Sequence, residues 1–235
     1  MLDPFDRGTS VANLNRAAIR GAKGSEMLSG NALPKTNADK RNDDRSVDAY
    51  FSADVETDGP IPGPFSMLSF ALVYAGSFDG RQFERLARHE QTFYRELKPI
   101  SEDFQEEALR VNGLDRVRLC REGEDPQSAM TDAANWIREI AGSAKPVLVA
   151  YPLSFDWTWL YWYFVRFSAL GSPFGYSRCF DLKTAFAVKS RTPIADASRS
   201  KLKASLKSQR EHTHHALDDA IEQAEIFANV FEWRR

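Results

Sequence analysis

Cysteine is scarce. The 235 residues hold two, Cys120 and Cys179, far apart and without a C-x-x-C pair. That argues against a disulfide framework and against a cysteine-based zinc site, and it suits a reduced, cytoplasmic compartment. A long apolar run is also missing: the most apolar stretch, residues 147–170, is broken by Asp156 and Arg166. The amino terminus MLDPFDRGTS has no basic segment followed by an apolar one. The expectation is therefore a soluble chain with no membrane span. Nor is there an excess of one charge, since 31 Lys and Arg face 33 Asp and Glu for a net charge of −2. Any surface that binds nucleic acid must then be local. What the chain does have is 43% apolar and 12% aromatic residues, enough for one well-filled core.

Residues 1–46 are rich in Asn, Gly, Ser, Lys and Asp and show no sustained apolar period beyond a short helix expected near 11–20. Such a segment buries too little surface to offset its ordering entropy. A flexible tail is expected there, serving as a docking arm for a protein partner. Residues 47–235 read as one domain. AYFSADVE (49–56) and SMLSFALVYAG (66–76) have the composition of strands, with TDGPIPGP as the turn between them. RLARHEQTFYREL (85–97) suggests a third, more exposed strand. Residues 125–142 form an amphipathic helix by every local sign. Asp125 stands at the N-cap, Pro126 at the first position, and Met130, Ala133, Ala134, Ile137, Ile140 and Ala141 form a stripe. PVLVAY (146–151) reads as a buried central strand. A helix over 156–167, a strand in SRCFDL (177–182) and a closing helix with Leu217, Ala220, Ile221, Ala224, Ala228 and Phe231 on one side complete the chain. A meander followed by alternating helices and strands predicts a mixed α/β sheet covered by helices.

Three places carry residues able to do chemistry. In a strand, positions two apart share a face, so Asp54 and Glu56 present two carboxylates side by side. A divalent cation with a taste for oxygen would relieve their repulsion. Read alone, the pair equally suits the solvent face of a strand end. Asp156, among Phe155, Trp157 and Trp159, stands at a helix start, where a simple cap-region carboxylate is the plain alternative. HTHHALDDA (212–220) holds three of the four histidines, followed by two aspartates. His212, His214 and His215 are too crowded for a tetrahedral zinc site, and His89 belongs to another element. Helical phase does not choose between Asp218 and Asp219, since both lie off the apolar stripe.

In order along the chain, DVETDG, SFDW and HHALDDA resemble the three motifs of the DEDDh 3′–5′ exonucleases, the superfamily of proofreading subunits, ribonuclease T and oligoribonuclease. The resemblance runs from Ala49 to Trp233, and PISEDFQEEALRVNGLDRVRL is similar to the family's helical segment after the third strand. It implies a ribonuclease H-like fold, a mixed five-stranded sheet flanked by helices. It also implies Asp54, Glu56, Asp156 and Asp219 as ligands of two Mg²⁺ or Mn²⁺ ions, with His214 as general base. The H-x-x-x-x-D spacing selects Asp219 over Asp218 and His214 over His215. The activity implied is release of nucleoside monophosphates from the 3′ end of single-stranded RNA or DNA, or of short oligonucleotides. Where the family often has His-Asn before the second-motif aspartate, this chain has Tyr151 and Pro152, so sugar preference does not carry over.

Between Lys183 and Arg210 lie eight basic residues and one acid, Asp196, a local charge of +7. Arg199, Lys201, Lys203, Lys207 and Arg210 are candidates to guide a phosphate backbone, against the plain alternative of a solvated loop face. Thr57, Phe65 and Met67 are candidates to touch the terminal nucleotide, although core burial suits Phe65 and Met67 as well. Competing readings are a proofreading module docked to a polymerase, a non-catalytic nucleic-acid scaffold and a ribonuclease H-like endonuclease. A homodimer stands beside a monomer as an expectation.

Overall fold

The computed structural model describes residues 46–234. The tail expected before Ser46 and the helix expected near 11–20 lie outside the described residues. Strands β1 (Asp48–Thr57) and β2 (Met67–Phe78) pair antiparallel around the Pro/Gly-rich turn. Asp58 closes that turn: its carboxylate accepts from the Ser66 amide and from Arg116 Nε at 3.0 Å, in an ion pair where Asp58 is fully buried.

The third strand is shorter than its sequence predicts. Within residues 85–97 the strand is confined to β4 (Thr92–Glu96), which pairs with β2, as does a two-residue β3 (Phe83–Glu84) before it. The residues between have no face to bury: Arg85 turns to Glu232 and Asn229, and Arg88 pairs with Glu90 in solvent. Two short helices, α1 (Glu106–Asn112) and α2 (Arg116–Glu122), follow, in the segment matched to the family's helical region. Helix α3 (Pro126–Ala141) starts as expected, with the Asp125 carboxylate accepting from the amides of Gln127 and Ser128. Strand β5 (Lys145–Ala150) then enters the sheet parallel to β1.

Helix α4 (Leu153–Phe167) begins three residues earlier than the sequence suggests. Pro152 fixes the entry, and the first helical amide, that of Leu153, donates to the Asp181 carboxylate at 3.2 Å. Asp156 thereby falls inside the first turn. Strand β6 (Cys179–Asp181), helix α5 (Leu182–Ser190), three 3₁₀ turns between 194 and 206, and helix α6 (Ala216–Glu232) end the chain. The sheet order is β3-β2-β1-β5-β6, with β4 also on β2. The expected five strands are thus joined by a sixth. This is the mixed α/β, ribonuclease H-like architecture.

Both faces of the sheet are covered, which is why the central strands read as nearly continuous apolar runs. Alternation sorts their side chains. Phe51, Ala53 and Val55 face α3 and α4 with Leu148 and Ala150, while Tyr50 faces α6 with Val147 and Val149. Continuing that alternation along β1 puts Asp54 and Glu56 on the α6 side. They sit at the carboxyl ends of the parallel strands, where the chain leaves β1 one way to β2 while β5 lies on the other side. Open α/β sheets place their ligand crevices at such a switch point.

Candidate active site

Four carboxylates from three elements meet there. Asp54 and Glu56 come from the end of β1, Asp156 from the first turn of α4 and Asp219 from the first turn of α6. Ligand oxygens of Asp54, Glu56 and Asp219 all lie within 4.8 Å of one another. Asp156 lines the same cleft, a hollow of about 460 Å³ shared with His212, His214 and Arg199. Asp54, Asp156 and Asp219 are buried and Glu56 is partly so.

Their electrostatics are unbalanced. Burial, then the charges of Asp156, Glu56 and Asp219, hold the Asp54 carboxyl well above the usual carboxylate range, against the pull of Arg199. Glu56 is pushed up to about 8 by burial and by Asp219 and Asp156. Asp156 is pushed up to about 7 by burial, against the pull of its own backbone amide, Arg199 and the Val55 amide. Such a group binds protons or a cation in preference to standing bare. All its donors are oxygens, which suits a hard divalent metal.

The histidine segment is held by Asp219. Its carboxylate accepts from the amides of Thr213 and His214 at 2.8 and 2.9 Å. His214 adopts φ 59°, a left-handed conformation that a residue with a Cβ rarely takes unless its surroundings enforce it. Ring nitrogens of His212 and His214 and an Asp219 oxygen fall within 4.8 Å of one another. His215 turns away, tilted against the Tyr94 ring with centroids 5.0 Å apart, and Asp218 follows it at 3.4 Å from its Nδ1. Asp218 and His215 therefore stay outside the cleft.

Arg199 is the basic-segment candidate that the fold brings in. Its guanidinium donates to Glu222 at 2.9 Å and to the Tyr151 carbonyl at 3.1 Å, and meets His212 Nδ1 at 2.7 Å. Lys201 pairs with Asp196, and Lys203 lies over the Trp233 ring. Lys207 and Arg210 line a second cleft of about 780 Å³ with Arg85, Arg88 and His89. Basic side chains on an irregular segment diverge, so nearness in sequence did not bring them together. Thr57 lines the carboxylate cleft, its hydroxyl spent on Gly59 O at 2.8 Å.

Phe65 and Met67 do not reach the cleft. Phe65 folds back onto Gly59, filling the space a Cβ would take there. Met67 is fully buried as the first residue of β2, its amide bound by Tyr163 Oη at 2.7 Å. Core packing claims both. Sequence reasoning missed His212 as a cleft residue, and with it Glu222 and Gln223. Gln223 is fully buried, with Nε2 donating to Asp54 Oδ1 at 2.9 Å. Its signal was present: it stands four residues after Asp219, one turn along the same helix, a polar residue on a face with Ala220, Ala224 and Phe227.

A ribonuclease H-like sheet carrying three acidic motifs and a histidine at its switch point defines the DEDDh 3′–5′ exonucleases. Comparison with known proteins agrees. The family model described as the 3'-5' exoribonuclease Rv2179c-like domain matches residues 88–231. The 3'-5' DNA exonuclease Cap18 of Escherichia coli is 36% identical over 180 residues, covering 76% of this chain and 89% of that protein. The nuclease domain of 3'hExo, a DEDDh family member bound to rAMP, has a TM-score of 0.57 at 11% identity, over 80% of this chain and 92% of that one. Escherichia coli Exonuclease I in complex with a dT13 oligonucleotide has a TM-score of 0.55 at 17% identity, over 81% of this chain. The present chain spans 42% of Exonuclease I, and at such identities the likeness is one of fold. The chain belongs to the Rv2179c-like 3′–5′ exoribonuclease domain family, and it is a 3′–5′ exonuclease.

Proposed function

We propose that residues 47–235 form an exonuclease domain that releases nucleoside monophosphates from the 3′ end of single-stranded nucleic acid or short oligonucleotides, with two Mg²⁺ or Mn²⁺ ions as cofactors. The observation that carries this reading is the convergence of four carboxylates in one open cleft with a single arginine to offset them. Asp54, Glu56, Asp156 and Asp219 would hold the ions. Bound there, divalent ions supply electrostatic support for the attacking and leaving oxygens of phosphodiester hydrolysis.

The chain's own groups do the rest. His214 accepts the proton of the attacking water, the general-base task to which an imidazole is suited. Asp219, by binding the His214 amide, sets where that ring stands relative to the carboxylates. Arg199 offsets part of the carboxylate charge and keeps the His212 ring in place. Exposed Phe155 and Val111 and buried Tyr151 make the rim partly apolar, suited to a nucleobase.

DNA is the first substrate to test, because the 36%-identical relative is named for it. The experiment is a gel time course on 5′-labelled single-stranded DNA and RNA with Mg²⁺, Mn²⁺ or EDTA, alongside Asp54→Ala and a circular strand. A ladder shortening from the 3′ end, dependent on metal and absent in the variant, is expected. Cleavage of the circle would point to an endonuclease. Binding without cleavage under every metal would leave a scaffold.

A further inference from the structure

One rung is absent between two parallel strands. β1 and β5 pair from Asp48 opposite Lys145 to Ser52 opposite Val149, and the Lys145 amide donates to Val47 O at 2.7 Å. A parallel ladder steps two residues at a time, so the rung beyond the last pair would join the Tyr151 amide to the Ala53 carbonyl. Both groups bind Gln223 instead. Its Oε1 accepts from Tyr151 N at 2.6 Å, and its Nε2 donates to Ala53 O at 3.2 Å and to Asp54 Oδ1 at 2.9 Å. The partners fix which way the amide points, since one donor faces its oxygen and two acceptors face its NH₂.

The carboxamide is thus a spacer set into the sheet where Asp54 leaves it. Without a tether, Asp54 would turn from its carboxylate neighbours, since like charges in a buried site repel strongly. A lysine or arginine in that place would hold Asp54 but would also compete with a cation. A neutral amide orients the carboxylate and leaves its charge intact.

We propose that Gln223 is a positioning residue: its carboxamide replaces one rung of the β1–β5 ladder and fixes the Asp54 carboxylate for divalent-cation binding and turnover. This rests on the reading of Asp54 as a metal ligand. The reach of such outer partners is considerable, because removing one costs about 10- to 100-fold in metal affinity or activity.

The test uses the full chain and Mn²⁺ alone, read by electron paramagnetic resonance without nucleic acid. Gln223→Met, of similar length without the amide, should raise the Mn²⁺ dissociation constant by about 10-fold or more. A folded Gln223→Met variant with the parent's affinity overturns the proposal. Gln223→Glu keeps an acceptor for Tyr151 N but trades the amide donors to Ala53 O and Asp54 for a further carboxylate, so it is compared as folded protein, checked by circular dichroism. Its kcat at saturating Mn²⁺ should fall about 10-fold or more with little change in KM for the oligonucleotide. A parent-like kcat in that variant likewise overturns the proposal. Asp54→Ala serves as the reference: if it binds Mn²⁺ like the parent, the ligand reading of Asp54 fails, whatever Gln223 does.

Discussion

Two hollows share helix α6 and the segment leading to it, and they are built from opposite kinds of charge. The carboxylate cleft gathers buried acids against one arginine, while the larger one is lined by Lys207 and by three arginines already paired on the surface. In the second, Arg210 meets Glu225 at 3.1 Å and Arg88 meets Glu90 at 3.8 Å, all of them substantially exposed except Glu225. The difference teaches that volume and formal charge do not locate function. Water screens the exposed pairs to little net value, whereas burial magnifies the mismatch among Asp54, Glu56, Asp156 and Asp219. Only the second kind of charge is left wanting a partner.

The comparison breaks first, and most heavily, at Asp54. Asp54→Ala is expected to lower turnover on the order of 10⁴-fold, as loss of an essential group does, and to abolish tight Mn²⁺ binding. Near-parental activity would falsify the cleft as the active site. Next comes His214→Asn, which keeps a residue tolerant of the left-handed backbone while removing the base. A fall in kcat of about 10²- to 10⁴-fold with Mn²⁺ binding retained is expected, and an unchanged kcat removes His214 from the mechanism.

The mismatch has a pH signature in the metal-free chain. Glu56 near 8 and Asp156 near 7, with Asp54 also raised, bind protons in the folded state that the unfolded chain has already released above about 4. The folded state then holds more protons than the unfolded one, so stability falls as pH rises from about 4 to about 8. Thermal melts in EDTA should show that decline, and Mn²⁺ should reverse it near neutral pH. A slope unchanged by Glu56→Gln with Asp156→Asn would assign it to other groups. The smallest effect belongs to the second cleft. Arg210→Ala should change stability by no more than about 1 kcal/mol and leave kcat at the parent value. A clear rise in KM at moderate salt would instead make that cleft part of the path of the strand.

Much of the site was legible because it is local. Asp54 and Glu56 share a face by the two-residue repeat of a strand, and Asp125 and Pro126 announced α3 by cap chemistry. Asp156 was assigned to a helix start, but its place in the first turn depended on Pro152 and on Asp181 of another strand. Phe65 and Met67 stood between substrate contact and core burial, with the core the favoured reading, and Gly59 and the core took them.

The sequence by itself determined most of the element order, though not β3 or α5, along with the carboxylate pair and the histidine-aspartate spacing, since backbone periodicity fixes what lies within a turn or two. The tertiary structure decided what lies between elements. It drew Asp219 inward and left Asp218 with His215, chose Arg199 from a run of cations, and set Gln223 into the gap between β1 and β5. Those choices depend on distances of a few ångströms between residues as far apart as Ala53 and Gln223, and only packing sets such distances.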